Sequence, residues 1–159
     1  MTMFIEGPIE GVIVRALDQY SDERGWLMEL YRVDSTPAEY QPAMTYLSLT
    51  KPGVARGPHE HIDQADYFCF VGPSDFKIYL WDNRPESPTY KARMAFVAGD
   101  CLPTVVIVPK KVVHAYKNVG DKDGLVINCP NRLFKGVGKK DPVDEVRHEH
   151  EANSPYILD

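Results

Sequence analysis

The sequence predicts an all-β fold, a sandwich or barrel of short strands, and two observations carry that reading. Runs of alternating or β-branched residues recur about every 8–12 positions with turn residues between them, the pattern of such folds. Thirteen prolines and eleven glycines lie scattered along 159 residues, which suits many strands joined by turns and argues against a helical bundle. The length predicts one domain, 1–159, with a core from about 11 to 130 and an irregular C-terminal arm over 131–159.

The elements follow in order. Gly11 to Arg15 is rich in β-branched side chains and reads as a strand. Tyr20 to Gly25 is a turn into a second strand, Trp26 to Arg32, whose two faces both carry apolar groups as if both were covered. Ser35 to Pro42 holds two prolines and reads as a loop or short helical turn. Met44 to Thr50 alternates, with Leu47 and Leu49 on one face and Tyr46, Ser48 and Thr50 on the other. Strands are predicted next over Asp66 to Val71 and Phe76 to Trp81, before a break at Asn83 to Pro88. Arg93 to Val97 and Thr104 to Val108 come after, the second a nearly continuous apolar run typical of a buried strand. His114, Tyr116 and Asn118 share one face of the following strand, and Gly124 to Cys129 is the last. The arm has scattered apolar residues, so one short helical turn is expected there. His148 and His150, set among Glu145, Glu149 and Glu151, read as exposed.

Composition excludes some partners. A formal charge of −5 gives no reason to expect nucleic acid as a partner, which needs a clustered basic surface, though a few local arginines could still hold a phosphate. No apolar run approaches the ~20 residues of a membrane helix, and the N-terminus lacks signal-peptide character, so a cytoplasmic protein is expected. Cys69, Cys101 and Cys129 show no CxxC spacing; Cys69 and Cys129 sit in apolar runs and read as buried free thiols.

The chemistry gathers between Gly53 and Gly72. His59 and His61 are two apart, and in an extended segment they face the same way. Asp66 and an apolar run follow, and a second group, Pro109 to Asn118, contains His114. Together these resemble the two motifs of the cupin superfamily, with Asp66 where the usual Glu stands and Lys111 where the second motif has Gly. The resemblance implies a jelly roll around a pocket. His59, His61, His114 and Asp66 converging would also suit one divalent transition metal, such as Fe, Mn, Ni or Zn.

Three further stretches narrow this. Asp22-Glu23-Arg24-Gly25-Trp26 with Glu29 and Tyr31, then Arg56-Gly57-Pro58-His59, then Asp82-Asn83-Arg84 through Ser87-Pro88-Thr89-Tyr90 resemble, in order, the patterns of the dTDP-4-dehydrorhamnose 3,5-epimerase family. The resemblance implies an enzyme acting on a nucleotide-linked 4-keto-6-deoxy sugar. It implies no metal, and a homodimer whose N-terminal strand crosses to the partner. Arg24 and Glu29 match nucleotide-holding positions, Arg56 the diphosphate-binding arginine, and His59 the catalytic base. Glu151, four residues before Pro155, matches the acid that orients the base; Tyr116 reads as pocket wall that meets substrate.

The chemistry fits these residue types. An imidazole titrating near neutrality can take the proton beside a ketone. A carboxylate on its far nitrogen fixes the tautomer, and a donor must meet the developing oxyanion. Two family positions differ: Ala65-Asp66 stands where the resemblance implies a lysine, and Gly124 to Cys129 lacks the family's tyrosine acid. His61 is extra, and Arg56-Gly57-x-His59-x-His61 also resembles the 3,4-ketoisomerases acting on dTDP-4-keto-6-deoxyglucose, where a histidine pair shuttles protons; the expectation is His59 as base with His61 or His114 as its catalytic partner. A metal-dependent cupin enzyme and a non-catalytic sugar-nucleotide-binding protein stand as alternatives.

Overall fold

The computed structural model describes residues 4–159. Thirteen strands run in chain order: β1 Ile5–Glu6, β2 Ile13–Ala16, β3 Gln19–Asp22, β4 Gly25–Met28, β5 Tyr46–Thr50, β6 Ala55–Glu60, β7 Asp66–Phe70, β8 Asp75–Asp82, β9 Ala92–Gly99, β10 Thr104–Val108, β11 Val112–Asn118, β12 Gly124–Asn128 and β13 Val146–Arg147. One sheet has the order β1-β9-β8-β11-β6-β13 and the other β2-β10-β7-β12-β5, while β3 and β4 form a separate hairpin. From β5 onward consecutive strands alternate between the two sheets, except β8 and β9, which pair as neighbours in one sheet, and this is a jelly-roll arrangement.

The alternation of apolar side chains explains why the sheets face each other. Phe68 and Phe70 of β7 and Val126 of β12 meet Phe76, Ile78 and Leu80 of β8 and Tyr116 of β11 in a buried cluster. Phe70, Phe76 and Tyr116 pack ring on ring with centroids 5.5–5.6 Å apart, a spacing worth a fraction of a kcal/mol or more beyond area burial. The strands with continuous apolar runs are buried on both faces. Tyr67 and Cys69 of β7 and Val105 and Ile107 of β10 pack outward against Leu17, Met28, Leu30 and Tyr40. On the other sheet, Tyr79, Trp81, Val113 and Ala115 are covered by Tyr156, Phe4 and Leu158.

The C-terminal arm is thus more ordered than its composition suggests. Tyr156 is buried, β13 pairs with β6, and two short 3-10 turns occupy Val137–Lys139 and His148–His150. His148 is buried, contrary to the expectation of exposure, because the arm folds it onto the outer face of β6. The Trp26 segment also departs from expectation. Its strand ends at Met28, and Trp26 and Leu27 are about 60% exposed in a two-stranded hairpin. Cys69 is buried, Cys129 half-buried and Cys101 exposed, and all three are free.

Candidate active site

The site is built by an irregularity in β6. His114 of β11 pairs with His59, and Tyr116 pairs with Arg56, so β6 carries one extra residue between these points. That is a β-bulge, which bends the strand and changes the face a side chain takes. In a flat strand Arg56 and His59 would point to opposite faces; here both line the same pocket. The bulge explains the glycine of Arg-Gly-x-His. Gly57 has φ of +80°, and a Cβ there would stand 2.5 Å from the His114 carbonyl oxygen, a space only glycine tolerates. Lys111, in place of the second motif's glycine, takes φ of +60° at the turn into β11.

The pocket has a volume of about 1590 Å³ and opens at one end of the sandwich. His59 and His61 stand on the wall formed by the β6 sheet. Tyr46 and Ser48 of β5 stand on the wall formed by the other sheet, with Phe68 and Tyr116 deeper. The C-terminal arm forms the rim. The Asp144 carboxylate accepts the backbone N–H groups of Ile62 (2.8 Å), Asp63 (3.0 Å) and Gln64 (2.8 Å), and the Asp144 carbonyl accepts from His61 Nδ1. This clamp sets Glu145 beside His59, its Oε1 3.8 Å from Nε2.

Asp66 is fully buried between histidines. Its Oδ1 accepts from Gln64 Nε2 and Asn128 Nδ2, each at 2.9 Å. Its Oδ2 lies 3.1 Å from His61 Nε2 and 3.2 Å from His114 Nε2, but out of line for hydrogen bonds. Oδ2 and His114 Nε2 are thus buried without partners. His114 Nδ1 is turned to the Val112 carbonyl at 3.1 Å. Burial opposes charge on Asp66, but the crowding imidazoles of His114 and His61 win and hold the carboxyl well below its usual range. Burial likewise pulls against charge on His61, yet Asp66 outweighs it and holds His61 up at about 9. His59 goes the other way. Burial, with His114 and His61 beside it, pushes it down to about 2, so it stays neutral.

The structure brings His59, His61, His114, Asp66, Arg56 and Tyr116 together and leaves three other expected residues outside. Glu151, expected to orient His59, sits with its Oε1 2.8 Å from His148 Nδ1 instead, on the opposite face of β6. The acid beside His59 is Glu145, because β13 rather than the later tail runs along β6. Arg24 and Glu29 are on the exposed hairpin segment and do not line this pocket. Arg24 pairs with Asp22 and Glu29 with Arg32. Arg56 is held at Nε by Thr50 Oγ1 (3.0 Å) and at a terminal nitrogen by the Leu49 carbonyl (2.8 Å). Both bonds go to neutral oxygens, so neither offsets its charge.

Sequence reasoning missed Tyr46, Gln64, Asn128, Asp144 and Glu145 as site residues. Asn128 carried a readable signal, as a lone amide in the apolar run before Pro130.

The imidazole nitrogens of His59, His61 and His114 come within 4.8 Å of one another. With the orphaned Asp66 Oδ2 beside them, this donor set fits a divalent transition metal.

Fold and pocket define a cupin whose inner walls carry ionisable groups at the open end. Within that class, the sequence profile of the dTDP-4-dehydrorhamnose 3,5-epimerase family matches residues 6–138, and the chain belongs to this family of enzymes. It is similar to a probable low-salt glycan biosynthesis epimerase of Haloferax volcanii, 39% identical over 79% of this chain and 81% of that protein. It is also similar to a spore coat polysaccharide biosynthesis protein of Bacillus subtilis, 32% identical over 71% of this chain and 74% of that protein. A dTDP sugar isomerase from Desulfovibrio desulfuricans shares the fold with a TM-score of 0.78, at 23% identity over 94% of this chain and 91% of that one.

Proposed function

We propose that this chain epimerises a nucleotide-linked 4-keto-6-deoxy sugar, with His59 as the base that removes the proton beside the ketone. The observation that carries the reading is the placement of the neighbouring imidazoles. His59 lines the pocket wall with the Glu145 carboxylate 3.8 Å from its Nε2, while His61 sits 3.1 Å from the buried Asp66 carboxylate. A neutral imidazole accepts a proton, and a fixed cation nearby lowers the energy of an enolate. His61 thereby supplies the positive charge that a lysine at Ala65-Asp66 would have given. Because Nδ1 and Nε2 of His61 face Asp144 and Asp66, it acts as a fixed charge, and the shuttling pair of the ketoisomerases is the weaker reading. Glu145 is the positioning carboxylate, closing on His59 when substrate fills the pocket. Arg56 holds the diphosphate through its planar donors.

We infer a homodimer as the working form. The hairpin that exposes Trp26 and Leu27 also presents Arg24 outside its own chain's pocket, where it would serve a second copy. Light scattering that gave a monomer mass would remove this part. Three free cysteines suit a reducing, cytoplasmic setting.

Binding of dTDP tests the nucleotide reading. Arg56→Lys should weaken it by about 1–3 kcal/mol in calorimetry, the scale of a lost charge-assisted contact. Equal affinity for the two forms would remove Arg56 from the site.

A metal-dependent reading is favoured by one observation, the orphaned Asp66 Oδ2 facing a three-histidine cluster. His59, His61, His114 and Asp66 would hold the ion. Once bound, it would polarise the ketone oxygen as a Lewis acid. Elemental analysis of untagged protein decides between the readings, since stoichiometric metal would occupy the nitrogen that His59 needs as a base.

A further inference from the structure

Inverting a carbon requires a proton taken from one face of the sugar ring to be replaced from the other. His59 stands on one sheet, so the donor must come from the facing wall. The strands of the facing sheet place Tyr46, Ser48 and Phe68 in the pocket lining, and Phe68 has no transferable side-chain proton. Ser48 has a hydroxyl, but its Oγ lies 3.2 Å from Tyr116 Oη. Tyr46 remains.

Its setting is that of a donor. The Asn128 amide is locked in orientation, because its Oδ1 accepts the backbone N–H of Tyr67 at 3.1 Å. Its Nδ2 then donates to Asp66 Oδ1 and to the Tyr46 phenol oxygen, each at 2.9 Å. The phenol oxygen therefore accepts a hydrogen bond on the Asn128 side and keeps its own O–H for the pocket. The same amide N–H stabilises the phenolate left after donation, which is the state that must form in the reaction. Register fixes this contact, since Asn128 and Tyr46 are direct partners in the β12–β5 ladder.

From this geometry we propose that Tyr46 is the proton donor, delivering its phenolic proton to the enolate carbon on the face opposite His59. The step balances. His59 takes a proton from the carbon beside the ketone and becomes imidazolium, and the C–H electron pair becomes the enolate. The enolate carbon then takes the Tyr46 proton, leaving the inverted ketone and tyrosinate. Solvent returns a proton to Tyr46 and removes one from His59. Burial pushes the phenol up to about 12, so it holds its proton at neutral pH until the enolate arrives.

This inference rests on the epimerase reading, and the test separates the two. Wild type and Tyr46→Phe are incubated with dTDP-4-keto-6-deoxyglucose in deuterated buffer, and NMR follows both loss of the α-proton signal and appearance of the inverted sugar. Wild type should do both. Tyr46→Phe should still wash out the proton through His59, which returns a deuteron to the same face, while inversion falls by about 10²–10⁴-fold. Inversion within threefold of wild type would overturn the assignment. So would equal loss of exchange and inversion in a variant that still binds dTDP, since Tyr46 would then act elsewhere than in donation. Absence of exchange by wild type would overturn the epimerase reading, and the donor role with it; that result appears in the control arm alone.

Discussion

Strand β6 carries histidine–carboxylate clusters on both of its faces, and they differ in how fully their polar atoms are matched. On the outer face Glu60 Oε1 meets Asn83 Nδ2 at 2.8 Å and His148 Nε2 at 2.9 Å, and His148 Nδ1 meets Glu151 at 2.8 Å. Tyr156 closes over it, its ring centroid 4.7 Å from that of His148. On the inner face, Asp66 Oδ2 lies 3.1 Å from His61 Nε2 and 3.2 Å from His114 Nε2 without an in-line hydrogen bond, and His59 and His61 line an open pocket. Burying a polar atom without a hydrogen bond costs about 1–3 kcal/mol, which the attraction of a close imidazolium offsets in part. The same residue types thus serve as a clasp for the arm outside and line an open pocket inside.

The comparison can be broken first at Asp66. Asp66→Asn removes the charge that offsets a buried His61 imidazolium and should cost about 3–5 kcal/mol, the scale of breaking a buried ion pair from one side. Its pH signature is specific in protein treated with a chelator. His61 is raised from 6.5 to about 9 in the fold, so the stability it gains from Asp66 is complete below pH 6.5 and is lost as pH rises through 9. Melting temperature in the wild type should therefore fall across that window, and in Asp66→Asn the fall should vanish. An unchanged alkaline fall in the variant would mean that Asp66 does not hold the His61 charge.

At the outer cluster the expected effect is smaller and of another kind. Glu151→Gln should cost about 1 kcal/mol of stability or less, because Glu151 is half exposed and neutral amides still hydrogen-bond. Turnover should stay within about twofold of wild type. A loss of turnover comparable to that of a catalytic variant, with the fold intact, would return Glu151 to the site and undo the distinction between the two faces.

Much of this was legible in the sequence where the information is local. Period-two alternation placed His59 with His61, and His114 with Tyr116, on shared faces. It also implies that Glu60 turns away from His59. The strands with buried apolar runs were readable, whereas β1, β3 and β13, exposed along their length, were not, and β3 read as part of a turn. The bulge at Gly57 was written in the sequence only as a motif glycine, and its consequence, Arg56 and His59 on one side, needs the partner strand. Asp144 and Glu145 were not legible because the clamp joins residues about 80 positions apart through backbone N–H groups, which carry no sequence signal. Tyr46 was assigned to the correct face of β5, but its bond to Asn128 depends on register with β12.

The central claim is that the neutral imidazole of His59 removes the substrate proton, and its most direct test is exchange with deuterated solvent. Wild type and His59→Asn, each first shown to bind dTDP, are given dTDP-4-keto-6-deoxyglucose, and loss of the proton beside the ketone is followed by NMR. The account predicts that exchange in His59→Asn falls by about 10²–10⁴-fold while dTDP affinity is retained. Exchange at the wild-type rate in His59→Asn would contradict it.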